Sequence, residues 1–204
     1  MEILTTDTQF LPNSKPTLKS INALQWLGLL NNTLEDTQAK SFGQSCSLME
    51  AFREVCILLH EAKAHDHAVW WAANGGSVSL ASHFAQDLFN KHRIRSMAFT
   101  DAAMLTCQAN DFGYEDAYAR MLDVFAKEGD ILVAISSSGK SKNILKAIEK
   151  AQDKHLKVVG FSGFESTNPL FKISCEASFF LDSKLYGIVE TGHGALLHGL
   201  VETL

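Results

Sequence analysis

Five short apolar runs constrain this 204-residue chain more than any other feature. They cover residues 68–73, 95–99, 130–135, 156–161 and 177–181, the second being the weakest. None alternates strictly between apolar and polar side chains. Amphipathic helical patterns lie between them, as with Ile144, Leu145, Ala147 and Ile148. Strands that are apolar on both faces belong to a parallel sheet covered by helices on both sides. The chain therefore reads as an α/β three-layer sandwich around a five-stranded parallel sheet. In such a sheet ligands bind beyond the carboxyl ends of the strands, near the point where strand order reverses.

Upstream of the sheet the pattern is helical. Residues 1–15 show little periodicity and read as a loosely packed arm. Pro16 and Thr17 can open a helix with Leu18, Ile21, Leu24, Leu27 and Leu34 as its stripe. Gly43 reads as a break before a second helix striped by Leu48, Phe52, Val55, Cys56 and Leu59. Both stripes suit either core packing or a helical pair against a second copy of the chain.

Composition narrows the partners. A formal net charge of -5 disfavours a polyanion, so no nucleic acid is expected. Cys46, Cys56, Cys107 and Cys175 form no CxxC and read as reduced thiols. Residues 1–16 lack a basic segment followed by an apolar one, so no signal peptide is expected. No stretch approaches the roughly 18 apolar residues that span a membrane. The expected location is cytoplasmic.

Two turns follow the first and third runs. Asn74-Gly75-Gly76-Ser77 leads into one helix, and Ser136-Ser137-Ser138-Gly139-Lys140-Ser141 into another. Small residues let a ligand approach the backbone, and the exposed N–H groups of a helix's first turn favour an anion. The serine cluster adds hydroxyl donors, which suits the three oxygens of a phosphate monoester. Such residues also make ordinary turns and N-caps; two such turns, each after an apolar strand, favour the ligand. Gly139-Lys140-Ser141 resembles the tail of a P-loop, but Ala134 stands where that motif needs glycine, and no GxGxxG occurs. Nucleotide binding lacks its usual signature.

A third constellation is ionisable. His83 and Asp87 are four apart and share a helix face, while Glu190, His193 and His198 fall on the last helix. Two histidines with one or two carboxylates can hold a divalent metal or run proton transfer. Taken singly, each reads as a solvated or locally paired side chain.

Taken in order, Asn74-Gly75-Gly76-Ser77, His83-Phe84-Ala85-Gln86-Asp87-Leu88, Asn110-Asp111-Phe112-Gly113, residues 135–141 and the last helix with His198 resemble the phosphoheptose isomerase family. The resemblance runs from about residue 40 to the C-terminus. It implies the sugar isomerase (SIS) fold, with flavodoxin-like winding, over residues 40–204, and it leaves residues 1–39 as an arm and helix for oligomer packing. It implies a homotetramer with active sites between subunits, acting on a small sugar phosphate. The reaction would be the ketose–aldose interconversion of sedoheptulose 7-phosphate and a heptose 7-phosphate, which supplies lipopolysaccharide or capsule precursors. Ser136, Ser137, Ser138 and Ser141 would hold the phosphate. Asn74, Gly75, Gly76, Ser77, Asn110, Asp111 and Glu190 would line the sugar site. Asp87 and His198 would carry the proton transfers. His83, Asp87, Glu190 and His198 would hold one divalent metal per subunit, and their mixed N/O set favours zinc. The alternative is a non-catalytic SIS binding module, associating with a replication initiator or sensing a sugar phosphate.

Three positions depart from the family's pattern. Asp87 stands where Glu is usual, which retracts the carboxylate by one methylene; misplacing a base by about 1 Å can cost roughly 100-fold in rate. Glu190 stands where Gln is common, adding a negative charge. Gly187 stands where an acidic residue is often found.

Overall fold

The computed structural model describes residues 21–204. The arm at residues 1–15, the helix start at Pro16 and Thr17, and Leu18 lie outside the described residues. Within them, the first helix is α1 (Ala23–Glu35). It starts after Asn22, which is extended and caps it, exchanging hydrogen bonds with Gln25 in a capping box.

Gly43 does separate the two helices, but as part of a hairpin turn that the sequence pattern did not show. Strands β1 (Gln38–Ser41) and β2 (Gln44–Cys46) form an antiparallel hairpin there, pairing Ser41 with Gln44. Its two-residue loop, Phe42 and Gly43, has φ of 47° and 77°, the double positive φ of a type I′ turn. Helix α2 (Leu48–Ala64) follows, started by a Ser47–Glu50 capping box.

The five apolar runs become β3 (Val69–Ala73), β4 (Ser96–Ala98), β5 (Ile131–Ser136), β6 (Lys157–Gly163) and β7 (Ala177–Leu181). They pair in parallel in the order β4-β3-β5-β6-β7. The hairpin joins β7 through β1, antiparallel, so the sheet has seven strands rather than five. Between the strands lie α3 (Gly76–Asp87), α4 (Ala102–Phe112), α5 (Ala117–Phe125), α6 (Lys142–Asp153) and α7 (Pro169–Lys172), and α8 (Tyr186–Thr203) ends the chain.

Alternate strand side chains feed two cores. Val69, Trp71, Ile131, Val133, Phe161 and Phe179 pack under α2, α3 and α8. Trp70, Leu132, Ala134 and Val158 pack under α5 and α6 on the other face. Every residue of β3, β5 and β7 is buried, which explains the absence of alternation in the sequence. Asp130 sets the entry to β5: its carboxylate accepts hydrogen bonds from the Ala68 and Lys127 amides and from Trp70 Nε1. No helix among the described residues is long and apolar enough to cross a membrane.

Candidate active site

Strands β3 and β5 are neighbours, with Ala73 opposite Ile135. Beyond them the order diverges, β3 pairing next with β4 and β5 with β6. This is the switch point where a crevice opens at the strands' carboxyl ends. Asn74, Gly75, Gly76 and Ser77 enter it from β3, and Ser136, Ser137, Ser138 and Ser141 from β5. Tyr186 and Glu190 of α8 complete an open cleft of about 220 Å³.

The serine turn is held from within. Ser136 Oγ lies 3.0 Å from Ser141 Oγ, and the Lys140 amide donates to Ser138 Oγ at 3.2 Å. Gly139 has φ +62°, and a Cβ there would stand 1.9 Å from Asn168 Oδ1. On the other turn, Gly75 has φ 56° and ψ -131°, open only to glycine. Helices α1, α2, α4 and α7 are capped by the side chains of Asn22, Ser47, Asp101 and Asn168. Helices α3, α5, α6 and α8 have no side-chain cap, and of these α3 and α6 follow the two turns that line the cleft. Their N-termini therefore offer an anion the helix dipole and uncapped amides.

The two N-termini are not equivalent. The Glu190 carboxylate lies against Gly76, so close that a Cβ on Gly76 would meet Oε2 at 2.7 Å. That places a negative charge at the positive end of α3. The α6 end carries the four serines instead.

Asn74 is clamped at the cleft wall. It exchanges two amide hydrogen bonds with buried Asn143, at 2.9 and 2.8 Å, and its Oδ1 also accepts the Tyr114 hydroxyl at 2.6 Å. Both Oδ1 lone pairs are thereby used, which fixes which way the amide faces. Tyr118 Oη donates to the Ala73 carbonyl one residue earlier, and burial raises its phenol far above the usual range.

The second constellation gathers His83, Asp87 and His198. One candidate ligand atom from each lies within 4.8 Å of the others. Asp87 is buried, while His83 and His198 are exposed. The histidine rings sit 5.3 Å apart, and Phe84 meets both edge-on. His83 Nε2 is 3.7 Å from Asp87 Oδ2. Directly after Asp87 the helix widens into a π-helical turn (Leu88–His92), ended by Arg93 at φ 58°. This turn carries Lys91, whose Nζ lies 3.1 Å from Asp87 Oδ2 and 2.8 Å from Glu202 Oε1. Hydrogen bonds to Glu202 and then Asp87 push the ammonium pKa up, and Lys91 pulls that of Glu202 down.

Not every sequence-predicted residue joins this group. Glu190 precedes His198 by eight residues, about 12 Å along a helix, and sits in the cleft. Its charge is therefore spent at Gly76 rather than beside His83. The group itself contains one carboxylate, already facing a lysine. Ser77 precedes His83 by six residues, about 9 Å, so the group lies outside the cleft of its own chain. Asn110 and Asp111 end α4, exposed and hydrogen-bonded to each other at 2.8 Å, and do not line the cleft.

His193 is a core residue. It is fully buried, with Nε2 3.0 Å from the Ser162 carbonyl oxygen, and burial lowers its pKa to about 4. The ring is thus neutral, with Nε2–H as donor. Gly187, which stands where an acidic residue is often found in the family, faces Trp26 of α1.

Sequence reasoning missed Asn143, Tyr114, Tyr186 and Lys91. The i, i+4 rule that paired His83 with Asp87 also pairs Asp87 with Lys91, so that signal was present. Asn143 precedes the apolar stripe of α6 by one residue and gives no such signal.

The model of the SIS domain matches residues 39–163. The phosphoheptose isomerase of Photorhabdus laumondii is 37% identical over 137 residues, covering 65% of this chain and 70% of the relative. That of Helicobacter pylori is 38% identical over 122 residues, covering 57% of this chain and 64% of the relative. Among solved structures, the phosphoheptose isomerase of Neisseria gonorrhoeae superposes with a TM-score of 0.76 at 21% identity, covering 89% of this chain and 95% of that one. At that identity the superposition speaks for the fold, and the matches in sequence speak for the family. The switch-point cleft with its serine turn, the His–Asp–His group and these matches agree: the chain belongs to the SIS-domain family, on its phosphoheptose isomerase branch.

Proposed function

We propose that this chain interconverts sedoheptulose 7-phosphate and D-glycero-D-manno-heptose 7-phosphate through an enediol. The observation that carries the reading is the cleft, where an uncapped helix end ringed by Ser136, Ser137, Ser138 and Ser141 adjoins a wall of Asn74, Gly75, Gly76, Ser77 and Glu190. The phosphate would dock on the serine turn, and Glu190 would accept from sugar hydroxyls. A base removes a proton from C1 of the ketose, the enediol forms, and an acid returns a proton to C2. Asp87 and His198 would take these two roles while no ion occupies their ligand atoms. Tyr114 and Asn143, by holding Asn74, keep its free amide proton aimed at the sugar.

The offset of 9–12 Å between cleft and His–Asp–His group supports an assembly in which one subunit's cleft meets the group of a neighbour. Asn110 and Asp111 would likewise contribute across that boundary. No residue of α1 is buried, and Leu24, Leu27 and Leu29 are exposed, as is Met49 at the start of α2. We therefore take residues 1–39 as oligomer packing and the assembly as a homotetramer. A cytoplasmic enzyme feeding lipopolysaccharide or capsule precursors fits this chemistry.

His83, Asp87 and His198 suit a zinc ion. Two imidazoles and a carboxylate form a common zinc-binding set, and one candidate ligand atom from each lies within 4.8 Å of the others. Such an ion, when bound, polarises the substrate's oxygens. Product analysis by NMR after incubation with sedoheptulose 7-phosphate tests the function: the aldose should appear with the native protein and not with His198→Asn. An unchanged ketose would overturn the reading.

A further inference from the structure

The His–Asp–His group already holds a cation of its own. Buried Asp87 faces His83 at 3.7 Å, Lys91 at 3.1 Å and, within the ligand group, His198. Lys91 also reaches Glu202 of α8 at 2.8 Å, and both Lys91 and Glu202 are solvent-exposed. A divalent ion bound to Asp87 would stand within a few ångströms of the ammonium. At that range two cations repel strongly even at the effective dielectric of a protein surface. Lys91 has a flexible four-carbon stem and a second carboxylate already in reach. We propose that Lys91 is a built-in competitor for the cation site: it holds Asp87 when no divalent ion is bound and passes wholly to Glu202 when one binds. This rests on the metal reading of the group. It makes occupancy an exchange of one cation for another, with Glu202 as the acceptor that permits it, and so sets a weak, exchangeable site.

The test is zinc affinity of the full-length apo protein, measured by competition with a chromophoric chelator at fixed pH and ionic strength. Four proteins are compared: native, Lys91→Met, Glu202→Gln and the double variant. Lys91→Met should bind about tenfold or more tightly than native, because the competitor is gone. Glu202→Gln should bind several-fold more weakly, because Lys91 has lost its alternative. In the Lys91→Met background, Glu202→Gln should change affinity by less than about twofold. That last result separates exchange from a simple field effect, in which removing the Glu202 charge would weaken binding equally in both backgrounds. Lys91→Arg, which keeps the charge, should stay near native. Equal or weaker binding by Lys91→Met overturns the competition, as does an undiminished Glu202→Gln effect in the double variant. If none of the folded proteins takes up zinc, the metal reading itself fails and the competition with it.

Discussion

Replacing Gly139 by alanine should be among the most damaging single changes in the chain. A Cβ at this position would lie 1.9 Å from Asn168 Oδ1 and 2.2 Å from Asn168 Cγ. Asn168 cannot step aside. It is fully buried; its Oδ1 accepts the Phe171 amide at 2.8 Å, and its Nδ2 faces Ser162 Oγ and the carbonyls of Gly163 and Glu165. Alanine in the left-handed region costs about 1–2 kcal/mol. Displacing the Asn168 amide breaks its bonds and leaves buried partners unpaired, which adds roughly 2–3 kcal/mol. The sum of about 3–5 kcal/mol is a large part of the 5–15 kcal/mol stability of a typical domain. In urea, with a slope of roughly 2–3 kcal/mol per molar, the midpoint should fall by about 1–2 M. Asn168→Ala removes the obstructing amide, so the double variant should lose less stability than the sum of the two single changes. A fall below about 1 kcal/mol for Gly139→Ala, or strict additivity in the double variant, would refute the argument that Asn168 buttresses the serine turn.

Three further outcomes follow from the same geometry. The triple change of Ser136, Ser138 and Ser141 to alanine should raise KM for sedoheptulose 7-phosphate at least 100-fold, since each hydrogen bond to a charged group contributes about 1.5–3 kcal/mol; steady-state kinetics checks this, and an unchanged KM sinks the phosphate assignment. His193 titrates near 6.5 when unfolded and at about 4 when folded. Between those values the unfolded chain binds a proton that the native state refuses, so stability should decline as pH falls from 6.5 towards 4, by up to about 3 kcal/mol; urea titrations across that range should show a shallower decline for His193→Gln, and an equal one would remove His193 as the cause. Finally, the triple serine variant and His198→Asn, each with little activity alone at low substrate concentration, should regain a measurable share of native activity when unfolded together and reassembled, because mixed oligomers contain sites with both the serine turn and His198 intact. No recovery despite confirmed mixed oligomers would place cleft and His–Asp–His group in the same chain's site.

Four of the five apolar runs led directly to parallel strands because burial on both faces demands apolar side chains nearly throughout, whereas the weakest, at residues 95–99, became the edge strand β4 with Met97 exposed. The hairpin Gln38–Ser41 and Gln44–Cys46 escaped because its strands are polar and at most half-buried over most of their length, and its turn uses Phe-Gly rather than Asn-Gly. It exists by pairing with β7, a tertiary partner 136 or more residues away that no local pattern announces. The turns at Asn74 and Ser136 were visible because small residues after a buried strand have few other uses. Grouping Glu190 with His198 misjudged translation along the helix. Sharing an element does not bring two side chains together when eight residues separate them. Lys91 was passed over because a lysine near a candidate metal site does not fit a ligand list, although its spacing from Asp87 is the same as that of His83.

The central claim is chemical: protons move between C1 and C2 of a bound ketose phosphate through an enediol. Incubation of sedoheptulose 7-phosphate with the protein in deuterium oxide, followed by NMR, reads that directly. The account predicts an aldose heptose 7-phosphate carrying deuterium at C2, solvent deuterium entering C1 of the recovered ketose, and neither signal with His198→Asn. Tight binding of the sugar phosphate with no deuterium incorporated at either carbon would contradict it, leaving a SIS-domain binding protein rather than an isomerase.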